Sequence, residues 1–219
     1  MKSRSLLCAA LLALSACAVA QADEAARPAA AAKPTTKPAM HSAVAKPAMD
    51  PKAMEAMMEK MAAPGPMHER FRKMEGNWDA AVKWTMGPSQ PMQESKSSAV
   101  IKTLMGGRYM EEDDTGEMMG KPFSGMSITG YDNVLKKYVG SWIDNAGTGI
   151  MTTTGVLNKA GNAINWTGQS SDPTTGRMAR YRMVTSWPDD DHMTYEMFSA
   201  GPGGKEMKIM EINYTRKQM

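Results

Sequence analysis

From Gly76 to the end of the chain, apolar and polar residues alternate in short runs separated by turn-forming residues. The first run is the clearest, because Trp78, Val82 and Trp84 share one face of an extended chain and Lys83 points to the other. A period of two residues is typical of a β-strand with one buried face. Clusters of Asn, Asp, Gly and Pro recur roughly every 10 to 14 residues, as in antiparallel sandwiches and barrels.

Ten such runs predict ten strands. They cover residues 76–86, 97–104, 108–113, 125–131, 138–144, 149–157, 163–170, 177–187, 193–200 and 206–216. No long helical pattern separates the runs, so parallel βαβ architectures are disfavoured. We predict an all-β domain over residues 67–219: a single antiparallel barrel of about ten strands, because closure removes exposed sheet edges. Residues 67–75 form a short N-terminal helical lead-in.

The N-terminal segment has the pattern of an export signal. Two basic residues precede an apolar stretch, Leu6–Leu14, that is too short to cross a bilayer as a helix. We therefore expect a signal peptide over residues 1–22 and an exported protein. Cleavage after Ala20-Gln21-Ala22 would release a soluble product. Leu14-Ser15-Ala16-Cys17 instead resembles the lipobox of bacterial lipoproteins, in which Cys17 would carry a lipid anchor to a membrane.

Residues 23–66 are rich in Ala, Pro, Lys and Met and contain no Phe, Trp or Tyr. Such a segment buries too little apolar surface to offset its ordering entropy, so we expect a disordered spacer. Within it, a short helix is predicted over residues 51–61, with Met54, Met57, Met58 and Met61 on one face. This face is either a soft-metal patch for Cu(I) or an amphipathic surface that packs on the domain or frays.

Charge and cysteine content narrow the classes of function. Residues 67–219 hold eighteen basic and eighteen acidic side chains, which leaves no electrostatic footprint for nucleic acid. Both cysteines, Cys8 and Cys17, lie in the signal segment. The domain therefore has no disulfide, no thiolate nucleophile and no Cys metal site, and we expect no cofactor.

Several motifs of the domain are those of a known family. They are Gly76-Asn77-Trp78, Gly106-Gly107-Arg108-Tyr109, Gly120-Lys121-Pro122-Phe123-Ser124-Gly125, Gly130-Tyr131-Asp132-Asn133, Trp142-Ile143-Asp144 and Gly155. Their order and spacing resemble the bacterial domain-of-unknown-function family fifteen-seventy-nine. The resemblance implies a calycin-like, lipocalin-related barrel and no particular activity.

Gly76-x-Trp78 is also similar to the Gly-x-Trp motif of lipocalins. In that group a late Arg covers the Trp at the closed end of the barrel. The similarity implies that Arg216, on the last strand, contacts Trp78 in a structural pair.

Candidates for catalysis are few. His68 and His192 are the only histidines of the domain, which excludes a three-histidine zinc site, and no Gly-x-Ser-x-Gly elbow is present. Two acidic runs, residues 111–114 and 189–191, are interpreted as solvated hairpin tips. We find no cluster of convergent polar residues that would acquire perturbed pKa values inside a cavity, and we predict a protein that is not an enzyme.

The predicted strands place aromatic and Met side chains on apolar faces. The ligand-binding candidates are Trp84, Tyr181, Met183, Tyr195 and Met197. Met is adaptable and common in the walls of promiscuous pockets, so we expect a cavity for a small apolar ligand. A solid-core envelope structural or interaction protein is the main alternative, and an enzyme is a weaker one. We expect a periplasmic or outer-membrane-associated lipoprotein.

Lipidation of Cys17 has a direct test. We expect a fatty acid supplied to expressing bacteria to label the full chain, because the lipobox Cys becomes the acylated first residue. Substitution of Cys17→Ala should abolish the label. Equal labelling of both chains, or none of the wild type, would favour soluble processing after Ala22.

Overall fold

The computed structural model describes residues 50–87, 89–173 and 175–218, without the side chain of Pro202. Cys17, the expected signal peptide and the spacer up to residue 49 lie outside these residues. The described residues form one compact unit. Within the described segments, no helix is long and apolar enough to span a membrane.

Two short helices precede the strands. Helix α1, Pro51–Ala62, is capped by Asp50, whose carboxylate accepts a hydrogen bond from the backbone N–H of Ala53 at 3.1 Å. Its four Met side chains on the predicted face are 40% to 61% exposed, so this face does not pack on the domain. Only the end of α1 is tied to the barrel, because Asn133 donates to the Met61 carbonyl at 2.8 Å. Helix α2, Pro66–Met74, is the predicted lead-in.

Ten strands follow, and their bounds lie close to the predicted runs. They are β1 Gly76–Trp84, β2 Gln93–Leu104, β3 Tyr109–Met118, β4 Lys121–Asp132, β5 Lys137–Asp144, β6 Met151–Leu157, β7 Ala163–Asp172, β8 Arg177–Ser186, β9 His192–Ala200 and β10 Glu206–Arg216.

Each strand pairs antiparallel with its neighbours in the sequence, and β1 pairs with β10 to close the barrel. The predicted single antiparallel barrel of about ten strands is thereby confirmed. A register shift between Lys208 and Met210 marks a bulge in β10.

The interpretation of residues 111–114 as a hairpin tip is wrong. Residues 111–114 lie inside β3, and the turn that follows comes later, at Met119 and Gly120, which both have positive φ angles. Their strand alternation therefore continues, and every second carboxyl points into the barrel. The other run, residues 189–191, does lie in the exposed β8–β9 hairpin.

Helix α2 covers one end of the barrel. Its His68, Phe71 and Met74 are buried, and the last two join a core cluster that includes Trp78 and Tyr138. The Phe71 and Tyr138 rings meet edge to face, 5.9 Å between centroids. This packing closes the end of the barrel where β1 begins.

Arg216 lies over the Trp78 ring, with its Cζ 4.2 Å from the ring centroid, as the similarity to lipocalins implied. Trp78 is 1% exposed and donates its Nε1–H to the Met74 carbonyl at 3.0 Å. The guanidinium of Arg216 donates to the carbonyls of Lys73, Glu75 and Asp190. One side chain thus connects the end of α2, the start of β1 and the β8–β9 hairpin.

We expect Trp78→Ala to lower the free energy of unfolding by about 3–5 kcal/mol, because a fully packed indole leaves a cavity. Trp84→Ala, on the same strand and face, should cost clearly less, since Trp84 is only partly buried. Urea denaturation of both variants checks the difference. Equal decreases in the free energy of unfolding would show that the packing of Trp78 under Arg216 gives no special stability.

Candidate functional site

The barrel encloses a cavity of about 420 Å³, with walls contributed by all ten strands and by α2. Phe71 and Met74 of α2 form its floor. At the other end the lining reaches the exposed Glu117 and Ala146, next to the β3–β4 and β5–β6 connections. The cavity therefore extends from the core to the barrel end opposite α2.

Four of the five predicted ligand-binding residues line this cavity: Trp84, Met183, Tyr195 and Met197. Tyr181 does not belong to the lining. It lies opposite Gly168 and Ser199 on β8, two residues before Met183, and is partly buried. The strand alternation therefore identified its face correctly but not its distance from the cavity.

Half of the residues that line the cavity are aromatic or Met. Besides the four residues above, these include Phe71, Met74, Met110, Met118, Phe123, Trp142, Met151, Trp166, Trp187, Met193 and Met210. Trp142 is also part of the wall. Tyr131 does not line the cavity and packs against Tyr138, with 5.0 Å between the two ring centroids.

Inward-facing glycines make room for two of the indoles. A Cβ on Gly125 would lie 2.3 Å from Trp142, and one on Gly155 would lie 2.4 Å from Trp166. Both distances are shorter than any real Cβ contact, so the rings rest directly against glycine backbone on neighbouring strands. The rings thus occupy space at the wall that any other residue at Gly125 or Gly155 would fill.

Two carboxyl groups face the cavity from β3. Met110, Glu112 and Asp114 alternate inward, and Asp114 is 7% exposed. The expectation that residues 111–114 are solvated, and that the interior lacks a convergent polar set, is therefore wrong. The other two acids of the run, Glu111 and Asp113, face outward from the same strand, and both bind Lys102.

Burial controls the protonation of the two acids. It raises the pKa of Glu112 to about 6, although a hydrogen bond with Tyr214 opposes the rise. It raises the pKa of Asp114 to about 8, with further increases from the negative charges of Glu112 and Asp113. Because the two acids are coupled, the first proton is lost from the pair more easily than the second. Near neutral pH the pair holds about one proton.

Two tyrosines complete this polar region. The Tyr214 hydroxyl is hydrogen bonded to Glu112, and burial together with the charges of both acids raises the Tyr214 pKa well above its ordinary value. The pKa of Tyr195 is raised by burial and by Glu112. Between β3 and β10, the inner faces of β2 and β1 carry the short side chains Ala99 and Ala80, which leave space for Glu112 and Tyr214 to meet.

The polar groups of the cavity are incompletely satisfied. Glu112 Oε1 and Trp187 Nε1 are buried without a hydrogen-bond partner among the residues that the structure describes. The Asp114 carboxyl likewise receives no hydrogen bond in the described part of the chain. Unpaired buried polar groups cost stability, so a site that retains two of them beside a carboxyl without a hydrogen-bond donor merits a functional explanation.

The two histidines of the domain lie elsewhere. His68 is buried in α2, where its Nδ1 accepts a hydrogen bond from the Gly65 N–H at 3.0 Å, and burial lowers its pKa. His192 pairs with Asp189 at 2.8 Å on the surface. Across residues 50–87, 89–173 and 175–218, no three His, Cys, Asp or Glu side chains are grouped to hold a metal ion.

Fold and site together define a class: a closed antiparallel barrel with an interior cavity that combines an apolar wall and buried acids. The chain belongs to the family described as "protein of unknown function (DUF1579)", whose sequence model matches residues 63–216. The resemblance found in the motifs is thus confirmed. A search of curated proteins finds no match.

A solved structure has a similar fold. The crystal structure of Rv2717c from M. tuberculosis is similar, with a TM-score of 0.54 and 14% sequence identity over 71% of this chain and 100% of that chain. A redesigned β-barrel also matches, over 68% of this chain and 95% of its own. Its TM-score is 0.37 and its identity 9%, too low to carry an argument.

The acid pair predicts a pH-dependent stability. Since the folded-state pKa values of Glu112 and Asp114 are raised, the folded chain binds more protons than the unfolded chain between about pH 4 and pH 8. The free energy of unfolding should therefore fall with rising pH, by up to about 1.4 kcal/mol per pH unit for each extra proton. Urea titrations at several pH values measure this slope.

Asp114→Asn should flatten the slope and raise stability above pH 7, because an amide cannot ionise. Asp113→Asn is the matched control: it removes the same charge from the outer face of the same strand. It takes away only the smallest of the three contributions to the raised Asp114 pKa, so most of the slope should remain. A slope that persists in Asp114→Asn would contradict the assignment.

Proposed function

We propose that the protein is a non-catalytic binding barrel that holds a small, largely apolar or aromatic molecule in its cavity. The volume of about 420 Å³ carries the proposal, because pockets for small organic ligands typically measure about 300–1,000 Å³. A solid structural barrel would have filled this space with side chains. Flexible Met side chains in the wall suit ligands of varied shape.

Location adds to this proposal. If Cys17 is acylated and residues 23–49 form a spacer, the barrel stands at a membrane surface, where apolar molecules concentrate. An exported carrier would there sequester or transfer a lipophilic compound. The proposal of ligand binding does not depend on the anchor, since soluble periplasmic processing would leave the same barrel.

Catalysis is the second candidate, and one observation favours it. A carboxyl pair that holds about one proton at neutral pH is able to give or take a proton from a bound molecule. The described residues offer no metal cluster, and Tyr195 and Tyr214 are held protonated. Ligand recovered chemically unchanged after long incubation supports carriage, and conversion lost in Asp114→Asn supports an enzyme.

A variant that fills the cavity tests binding directly. Ser127 faces the cavity on β4, opposite Glu112, and Ser127→Phe should occupy part of the volume. We expect the neutral fluorescent probe N-phenyl-1-naphthylamine to bind the wild-type protein saturably. The affinity of Ser127→Phe for the probe should be lower by about tenfold or more, because the new ring occupies space that the probe would contact.

Ile128→Phe is the control, because Ile128 is the adjacent residue and is 39% exposed on the outer face. It adds the same ring without touching the lumen and should leave probe affinity unchanged. Circular dichroism and thermal melting establish that both variants fold. Absence of saturable binding to the wild type, or equal binding by both folded variants, would favour the solid structural alternative.

A further inference from the structure

The charged side chains that line the cavity are all acidic. The lining includes four carboxyl groups, those of Glu112, Asp114, Glu117 and Asp144, and no Lys, Arg or His. Residues 67–219 hold as many basic as acidic side chains, so this exclusion does not follow from composition. A low-dielectric lumen bordered by one sign of charge attracts the opposite sign.

The four carboxyl groups differ in the hydrogen bonds that they accept and in their exposure. Asp144 accepts hydrogen bonds from Trp142 Nε1 at 2.7 Å and from the Ala146 N–H at 3.0 Å, so it serves the β5–β6 turn. Glu117 is exposed at the end of the barrel. Asp114, by contrast, is 7% exposed and has no hydrogen-bond donor among the described residues. A buried carboxyl without a donor is a site for a ligand that supplies one.

The surroundings of the acids point to an organic cation and not a metal ion. Calcium and magnesium are usually held by several carboxylates, whereas no third His, Cys, Asp or Glu side chain is grouped with Glu112 and Asp114 in the described part of the chain. Four indoles line the same lumen: Trp84, Trp142, Trp166 and Trp187. Aromatic faces attract ammonium groups, most strongly where water is excluded.

We propose, building on the function proposed above, that the ligand of this cavity is an amphipathic organic amine whose protonated nitrogen donates hydrogen bonds to Asp114 and Glu112. Its apolar or aromatic body lies among the Trp and Met side chains of the wall. Binding neutralises the pair, which removes the main electrostatic cost of keeping two carboxyls inside the barrel. Tyr214 holds Glu112 in place through its hydroxyl.

The pH dependence follows from the groups that face the nitrogen. These are Glu112 and Asp114 on β3, Tyr195 on β9 and Tyr214 on β10, with Glu117 and Asp144 towards the open end. Alkylamines stay protonated to about pH 10, like Lys. As pH rises from about 5.5 to 8 the carboxyls lose their proton and the amine keeps its own, so amine affinity should increase. An alcohol of the same shape should show no such increase.

Two matched series of compounds test the charge preference. One contains tryptamine, tryptophol and indole-3-propionate, and the other contains octylamine, 1-octanol and octanoate. Affinities are measured by calorimetry and by displacement of N-phenyl-1-naphthylamine at pH 7.5. In at least one series we expect the amine to bind about tenfold or more tighter than the alcohol, because a hydrogen bond to a charged group adds that much affinity. The carboxylate should bind most weakly.

The same titrations with Asp114→Asn and Glu112→Gln assign the preference to the pair. Both should bring the amine to within about threefold of the alcohol, while the alcohol keeps its wild-type affinity. Asp113→Asn, which removes a carboxyl from the outer face of β3, should retain the preference. A preference that survives both inner substitutions would overturn the proposal.

The outcomes separate this proposal from the broader one. If the neutral probe binds but the alcohol or carboxylate equals the amine in both series, the cavity binds ligands and the amine proposal is wrong. If the probe and all six compounds fail to bind, both proposals fail. Amine binding by calorimetry without probe binding supports both proposals and shows that the cavity excludes the larger neutral probe.

Discussion

The structure depends on the closure of the sheet between its first and last strands. The β1–β10 pairing places Trp78 directly opposite Arg216, and the guanidinium then covers the indole and reaches three backbone carbonyls. Two of these carbonyls, at Lys73 and Glu75, belong to the last turn of α2 and its cap, where helical hydrogen bonding ends. The same side chain therefore supports both the closure of the barrel and the docking of its end helix, which together bound the cavity above α2.

The enclosed space has an unusual composition for a barrel core. Half of the residues in its wall are aromatic or Met, yet it also retains an acid pair whose burial raises both pKa values. Buried acids of this kind lower stability in the free protein, and natural proteins keep such arrangements where function requires them. The unfavourable free energy of the empty site becomes part of the driving force for a cationic ligand.

Much of this fold could be predicted from the sequence, because its strands are short, alternate cleanly and are joined by Gly, Asn, Asp and Pro. Four of the five proposed lining residues are in the wall for the same reason. The acid pair was missed because four consecutive acidic residues look uniformly solvated. The available signal was Met110, which fixes the inward face of β3 and so places Glu112 and Asp114 beside it. The position of Tyr181 relative to the lumen could not be predicted, because alternation gives a face and not a depth.

The glycines beneath the indoles have a consequence for how related barrels would diverge. Because Trp142 and Trp166 rest against Gly125 and Gly155, any side chain at either glycine would force a ring away from the wall and into the lumen. The largest ligand that fits is therefore limited by residues that never touch it. A methyl group gained at Gly125 or Gly155 would change the accepted ligand size in one step, while the acid pair and its preference for charge stayed in place.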